Sequence, residues 1–330
     1  MSTDGFPGDW SLYLSCLPPE SYNHTQLLDQ CLQLDSDSRR IFSNHDTVEV
    51  WRINDSGKLS MSSLDTRKID TPGDVAYIIY QNNSWSPLNT SLDHVRKLMT
   101  AYRISPILLD AIQAFGSKVT GDDNPYFNLS SFRTFTGEKD GSYELCYILR
   151  TYERHGRKSL KDPWSLRQML VYERFDATEG RSVWVLLQPF ARVKSEFLRR
   201  CFRSQTSQMV GPKLHEMSIS IALANWRWYL DDQRRLLDAH NEKAVFSRAN
   251  PKAVDYDTGF SDCQKLHQLA WTLSLGEEIL ASYDHIMGML RSDLIQKKDE
   301  MLDTVRQIYR LARNASALRR NSEHTSRLEI

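Results

Sequence analysis

Residues 183–187, Val-Trp-Val-Leu-Leu, put Val183, Val185 and Leu187 on one side of a strand and Trp184 and Leu186 on the other. A strand apolar on both sides offers no face to water, so it must be covered above and below. The run belongs to "WSLRQMLVYERFDATEGRSVWVLLQP", residues 164–189, in which two stretches rich in Val, Leu, Tyr, Phe and Trp flank the turn-like "DATEGR". That pattern predicts a hairpin inside a covered sheet.

Further strands are predicted at "VEVWRI" (48–53), "AYIIYQ" (76–81), "FNLSSFRTF" (127–135) and "SYELCYILRTYE" (142–153). Two helices interrupt this series. "TSLDHVRKLMTAY" opens with Thr90 three residues before Asp93, close to a capping box. "SPILLDAIQAFG" offers Ser105 as N-cap, Pro106 at the first helical position and Gly116 past the end, with Leu108, Leu109, Ile112 and Phe115 forming one stripe. Strands, a helical insertion and then more strands predict an α+β fold, with a mixed central sheet covered by helices. The helices at 91–116 are expected on one face and later helices on the other.

From about residue 192 the strand signal ends. "RVKSEFLRRCF" reads as a short helix, and "GPKLHEMSISIALANWRWYLDDQRRLLDAH" (211–240) as one long helix. A second long helix is expected from Ser261 to Leu318. Its seam runs through Leu266, Leu269, Leu273, Gly276, Leu280, Tyr283, Met287, Leu290 and Leu294 at alternating spacings of three and four. The seam falters at "QKKDE" and resumes at Met301, Val305, Ile308, Ala312 and Ala315. Unbroken, such a helix would be about 85 Å long. Its apolar edge would need a neighbour, which predicts a stalk or helical hairpin and self-association through Leu266, Leu269, Leu273, Leu280, Met287, Leu290 and Leu294. The expected organisation is a polar segment 1–45, an α/β domain 46–205 and stalk helices 206–330.

Chemistry is harder to find. The chain has neither a phosphate-binding glycine loop nor a nucleophile elbow nor an H-E-x-x-H pair; "HEM" at His215 has no second histidine four residues on. No enzyme is predicted. The doublets Asp122–Asp123 and Asp231–Asp232 are the candidate oxygen sites for Mg²⁺ or Ca²⁺. The first lies in a Gly/Asn/Pro turn, and the second precedes Arg234 and Arg235 on a helix, so local hydrogen bonds and ion pairs are the better reading of each. Trp226 and Trp228 read as packing. Five scattered cysteines without a C-x-x-C pair read as reduced thiols. With 42 basic and 42 acidic residues the chain is neutral, which argues against nucleic acid. One stretch departs from this balance: Arg306, Arg310, Arg313, Arg319, Arg320 and Arg327 share their segment with a single acid, Glu323. Its two readings are a solvated helix face and a basic strip beside phosphate head groups.

"SLDHVRKLMTAYRISPILLDAIQAFG", the 164–189 hairpin and the long helices, in that order, resemble the cytosolic part of CorA-type divalent cation transporters, their divergent fungal relatives most closely. The likeness spans roughly residues 46–320. It implies an α/β domain and stalk in a homo-oligomer, at the cytosolic face of a membrane, with a divalent cation such as Mg²⁺ as regulator. The Gly-Met-Asn signature is missing: Gly288 and Met289 are followed by Leu290. No run approaches the roughly 20 apolar residues of a membrane span, and the chain stops about where one is expected to follow. Conduction and the regulatory cation sites are therefore not carried over. The expected role is assembly or regulation, in the cytoplasm or against a membrane surface or membrane-protein partner. The alternative is a soluble coiled-coil scaffold unrelated to transport.

Overall fold

The computed structural model describes residues 10–17, 22–44, 47–53, 59–63, 74–118, 129–134, 141–160, 162–203, 210–249, 260–293 and 298–328. The chain divides into two compact units, Met1–Leu149 with Gln168–His215, and Arg150–Arg167 with Glu216–Ile330.

The first unit opens with α1 (Ser11–Cys16), α2 (His24–Ser36) and α3 (Ser38–Ile41), then β1 (Glu49–Ile53), β2 (Leu59–Ser63) and β3 (Asp74–Ile79). Helices α4 (Leu92–Ala101) and α5 (Ile107–Gln113) intervene before β4 (Ser130–Thr134), β5 (Tyr143–Arg154), β6 (Trp164–Asp176), β7 (Arg181–Leu187) and α6 (Ala191–Arg203). The seven strands form one sheet in the order β2-β1-β3-β7-β6-β5-β4. It is mixed: β3 pairs parallel with β7, Tyr77 opposite Val185, while β6 and β7 close the antiparallel hairpin. Asp176 makes its turn, its Oδ1 accepting from the Thr178 amide at 3.0 Å, and Gly180 supplies a positive φ of 64°.

Alternation along β7 places its two apolar sets as expected. Val185 and Leu187 join a core with Tyr77, Cys146 and Tyr172 beneath Val95, Leu98, Leu108 and Ile112 of α4 and α5. On the other face Trp184 lies 4.9 Å from the His215 ring, and Lys194 of α6 reaches over Trp51. The N-terminal segment, set apart by its polar composition, contributes Trp10, Tyr13, Leu27, Cys31, Leu34 and Ile41 to the first core. Strand β2 is not predicted because the alternation in "LSMSS" rests on only two apolar residues, Leu59 and Met61, within a long polar stretch. It is an edge strand paired with β1 alone, and its Met61 is exposed.

The caps of α4 and α5 shift by one residue. Ser91, not Thr90, accepts the His94 amide proton at 3.3 Å, and Pro106 occupies the N-cap position of α5. Gly116 ends that stretch as expected, at φ +104°; a Cβ there would stand 2.6 Å from the Arg40 carbonyl oxygen.

Helices α7 (Val210–Leu223), α8 (Trp226–Ala249), α9 (Phe260–Asp293) and α10 (Lys298–Leu328) follow, and His215 is the last residue of the first unit. The single helix expected over 211–240 is two, broken at 224–225, where the Asn225 carbonyl starts α8 by accepting from Tyr229. The single long helix expected from Ser261 to Leu318 is also two, roughly 51 and 46 Å long, and they run antiparallel. Ser322 donates to the Leu266 carbonyl at 2.9 Å and Arg319 reaches Glu277 at 3.1 Å. The apolar edge is therefore covered inside the chain. Leu266, Leu269, Leu273, Leu280, Met287 and Leu290 are all buried, as are Ile308, Leu311, Ala315 and Leu318 of α10. Leu294 lies outside the described residues. Spacing showed which side of α9 is buried; it could not show that α10 returns to bury it.

Candidate functional site

Strand alternation puts Tyr143 and Tyr147 of β5, Glu173 of β6 and Ser182 and Trp184 of β7 on the sheet face opposite the α4–α5 core. The first turns of α7 arrive over this face. Three side chains converge on the Glu173 carboxylate: Ser182 Oγ donates to Oε1 at 2.7 Å, Tyr143 Oη donates to Oε2 at 2.9 Å, and His215 Nε2 stands 2.8 Å from Oε2. The other imidazole nitrogen, Nδ1, faces the Tyr147 hydroxyl at 2.7 Å. One tautomer satisfies both contacts: Nε2–H donates to Glu173 and Nδ1 accepts from Tyr147. Gly211 completes the arrangement. A Cβ there would stand 3.0 Å from Glu173 Oε1 and 3.3 Å from Tyr143 Oη. Its absence lets the carboxylate lie against the start of α7, where the helix dipole favours negative charge.

A hydroxyl, an imidazole and a carboxylate in line have the connectivity of an activated nucleophile. Burial removes that chemistry. Glu173, His215 and Tyr147 have no exposed surface, and burial beside the Glu173 charge drives the Tyr147 hydroxyl far above its ordinary pKa. Burial, then the Glu173 charge, pushes Tyr143 the same way. What the network can do is hold the entry of α7 on the sheet. The signal for it was present in β6, where Glu173 shares a face with Val171 and Phe175, an acid at an inward position of a covered strand.

The predicted site residues lie elsewhere. Asp122 and Asp123 fall outside the described residues. Asp232, in α8 of the second unit, accepts from Arg154 Nη2 at 2.9 Å, from Trp164 Nε1 at 3.0 Å and from Arg235 Nη1 at 3.1 Å. That carboxylate fastens the 150–167 hairpin to α8, and Asp231 beside it is half-buried. Trp226 is buried with Tyr152 and Tyr229, whose rings stack at 3.8 Å, whereas Trp228 is exposed. A second acid missed in the sequence, Asp262 of α9, faces Lys243 at 3.6 Å and His240 at 3.8 Å on α8, and pairs with Lys265 of its own helix at 3.1 Å. Among the described residues no group of three or more His, Cys, Asp and Glu could hold a metal ion. The described residues thus offer no ready cage for the divalent ion that the resemblance implies. Arg319 is turned to Glu277 and Glu323, while Arg306, Arg310, Arg313 and Arg320 are exposed.

A family model of CorA-like transporters matches residues 15–245, which takes in the whole sheet with α7 and most of α8. The chain belongs to this family. No curated protein matches the sequence. Among solved structures, the full-length CmaX protein is similar at 11% identity and a TM-score of 0.54, covering 87% of this chain and 78% of its own. The complete CorA magnesium transporter of Methanocaldococcus jannaschii is similar at 10% identity and a TM-score of 0.50, over 86% of this chain and 76% of that one. The soluble domain of that CorA gives 11% and 0.50, over 86% and 96%. At such identities the likeness is one of fold, and the α+β fold is that of a CorA soluble domain. No described helix of this CorA-like chain is long and apolar enough to cross a membrane.

Proposed function

We propose that this CorA-like chain serves as the non-conducting, cytosolic-side part of a divalent cation transport system, where it assembles with copies of itself and regulates rather than conducts. The family match over residues 15–245 carries this reading, and the fold shared with the M. jannaschii magnesium transporter makes Mg²⁺ the ion to test. A non-enzymatic role fits the sealed Glu173–His215–Tyr147 string, which no substrate can reach. Because the Leu266–Leu290 seam is covered within the chain, contact between copies falls to the exposed residues of the helical unit, Trp228 and Leu236 on α8, Trp271 on α9 and Tyr309 on α10. The coiled-coil scaffold reading has no such support, since it depended on that seam being open.

Mass in solution tests the proposal. Sedimentation of the purified chain should give a multiple of the 38.3 kDa protomer, with the distribution of species shifting in millimolar Mg²⁺. A protomer mass at every Mg²⁺ concentration overturns it.

A further inference from the structure

The surface of α10 turned away from α9 is a row of arginines. Arg306, Arg310, Arg313 and Arg320 are exposed and stand at intervals of four, three and seven residues, one line along a helix. The opposite side carries the buried Ile308, Leu311, Ala315, Leu318 and Ser322, so packing fixes which way the row points. Between Arg306 and Arg320 the sequence has no acidic residue. Three acids of α9 and α10 have other partners: Glu277 and Glu323 hold Arg319, and Asp284 receives the Tyr309 hydroxyl. Arg319 therefore stands outside the row, although the sequence alone grouped it there.

We propose that this row is a docking strip for an anionic lipid surface, the arginines gripping headgroup phosphates. The inference rests on the membrane-facing part of the function proposed above. A straight line of guanidinium groups about 21 Å long complements a flat array of phosphates, and arginine binds phosphate oxygens through paired N–H donors. Nucleic acid fits less well. The whole chain is neutral, with 42 basic and 42 acidic residues, so no general field gathers a polyanion. The row also lacks interleaved aromatic side chains on which bases could stack; Tyr309 lies at its margin, tied to Asp284.

The test is co-sedimentation of the full chain with phosphatidylcholine vesicles, with and without phosphatidylserine, at low and high salt. The wild type should bind only the phosphatidylserine vesicles and release them at high salt. The variant R310Q/R313Q/R320Q should lose on the order of 100-fold in partitioning, at about 1 kcal/mol per arginine near a charged surface, with its circular dichroism unchanged. R227Q/R234Q, which removes exposed charges from α8, should bind as the wild type does. Equal binding to neutral vesicles, equal binding by the triple variant, equal loss in the α8 variant, or displacement by an oligonucleotide but not by phosphatidylserine vesicles each overturns the proposal. Self-association in Mg²⁺ is read separately by mass, so either idea can fail without the other.

Discussion

Arg319 of α10 spans both carboxylate oxygens of Glu277 on α9, its Nε 3.1 and 3.2 Å away. A pair 42 residues apart in sequence can meet this way only if the two helices run side by side in opposite directions. The pair is part-exposed, so it contributes little energy of its own. Its value is as a mark of register, and the energy sits in the leucines between the helices.

Leu280 has no exposed surface. Leu280→Ala should cost about 2–5 kcal/mol of the helical unit's stability, read by urea unfolding followed through Trp226 and Trp271. Leu280→Glu should unfold that unit outright rather than merely separate copies. A stable, folded Glu variant would mean that the seam is accessible after all.

Glu173 serves three donors and one helix start. Glu173→Leu should leave Tyr143, Ser182 and His215 buried without their acceptor and destabilise the first unit by about 3 kcal/mol or more. Gly211→Ala should cost less, about 1–2 kcal/mol, because the carboxylate must give way by a few tenths of an ångström. If both variants melt with the wild type, the network does not hold α7.

Gly116→Ala should be at least as costly, about 3 kcal/mol. The new methyl meets the Arg40 carbonyl at 2.6 Å, at a φ of +104° that side chains rarely adopt. Thermal unfolding of the variant reports this directly.

His240 gives the helical unit a pH dependence. Burial, the largest influence, lowers its pKa below the ordinary 6.5, against the pull of Asp262 and with help from Lys265 and Lys243. The folded form thus binds fewer protons than the unfolded one as the pH falls past about 6.5, so stability should decline in that interval and recover above it. His240→Asn should flatten that part of the profile while leaving the Asp262–Lys265 contact. An unchanged slope would assign the effect to another group.

Much of the architecture was legible because it rests on short-range rules. Alternation at 183–187 announced a sheet covered twice, and the stripe of Leu108, Leu109, Ile112 and Phe115 gave α5 its inward face. Long-range partners were not legible. Nothing local tells Leu273 whether its cover comes from another molecule or from residues some forty positions on; only the faltering at "QKKDE", just where α9 ends and α10 begins, pointed to a reversal. Trp10 and Tyr13 lie in a segment that reads as polar overall, yet they belong to the core. The Glu173 network was missed for a related reason. Its members are far apart in sequence, and the residues around His215 suggest only a metal motif that they do not complete.

The return of α10 beside α9 has a mechanical corollary. Ser322 rests against Leu266, so the entrance of one helix and the exit of the other are neighbours. Tension applied across those two points would not stretch a rod along its axis. It would peel the hairpin open one turn at a time, starting at Leu266, so the pair should yield to small forces that a helix loaded lengthwise, with its contacts strained all at once, would resist.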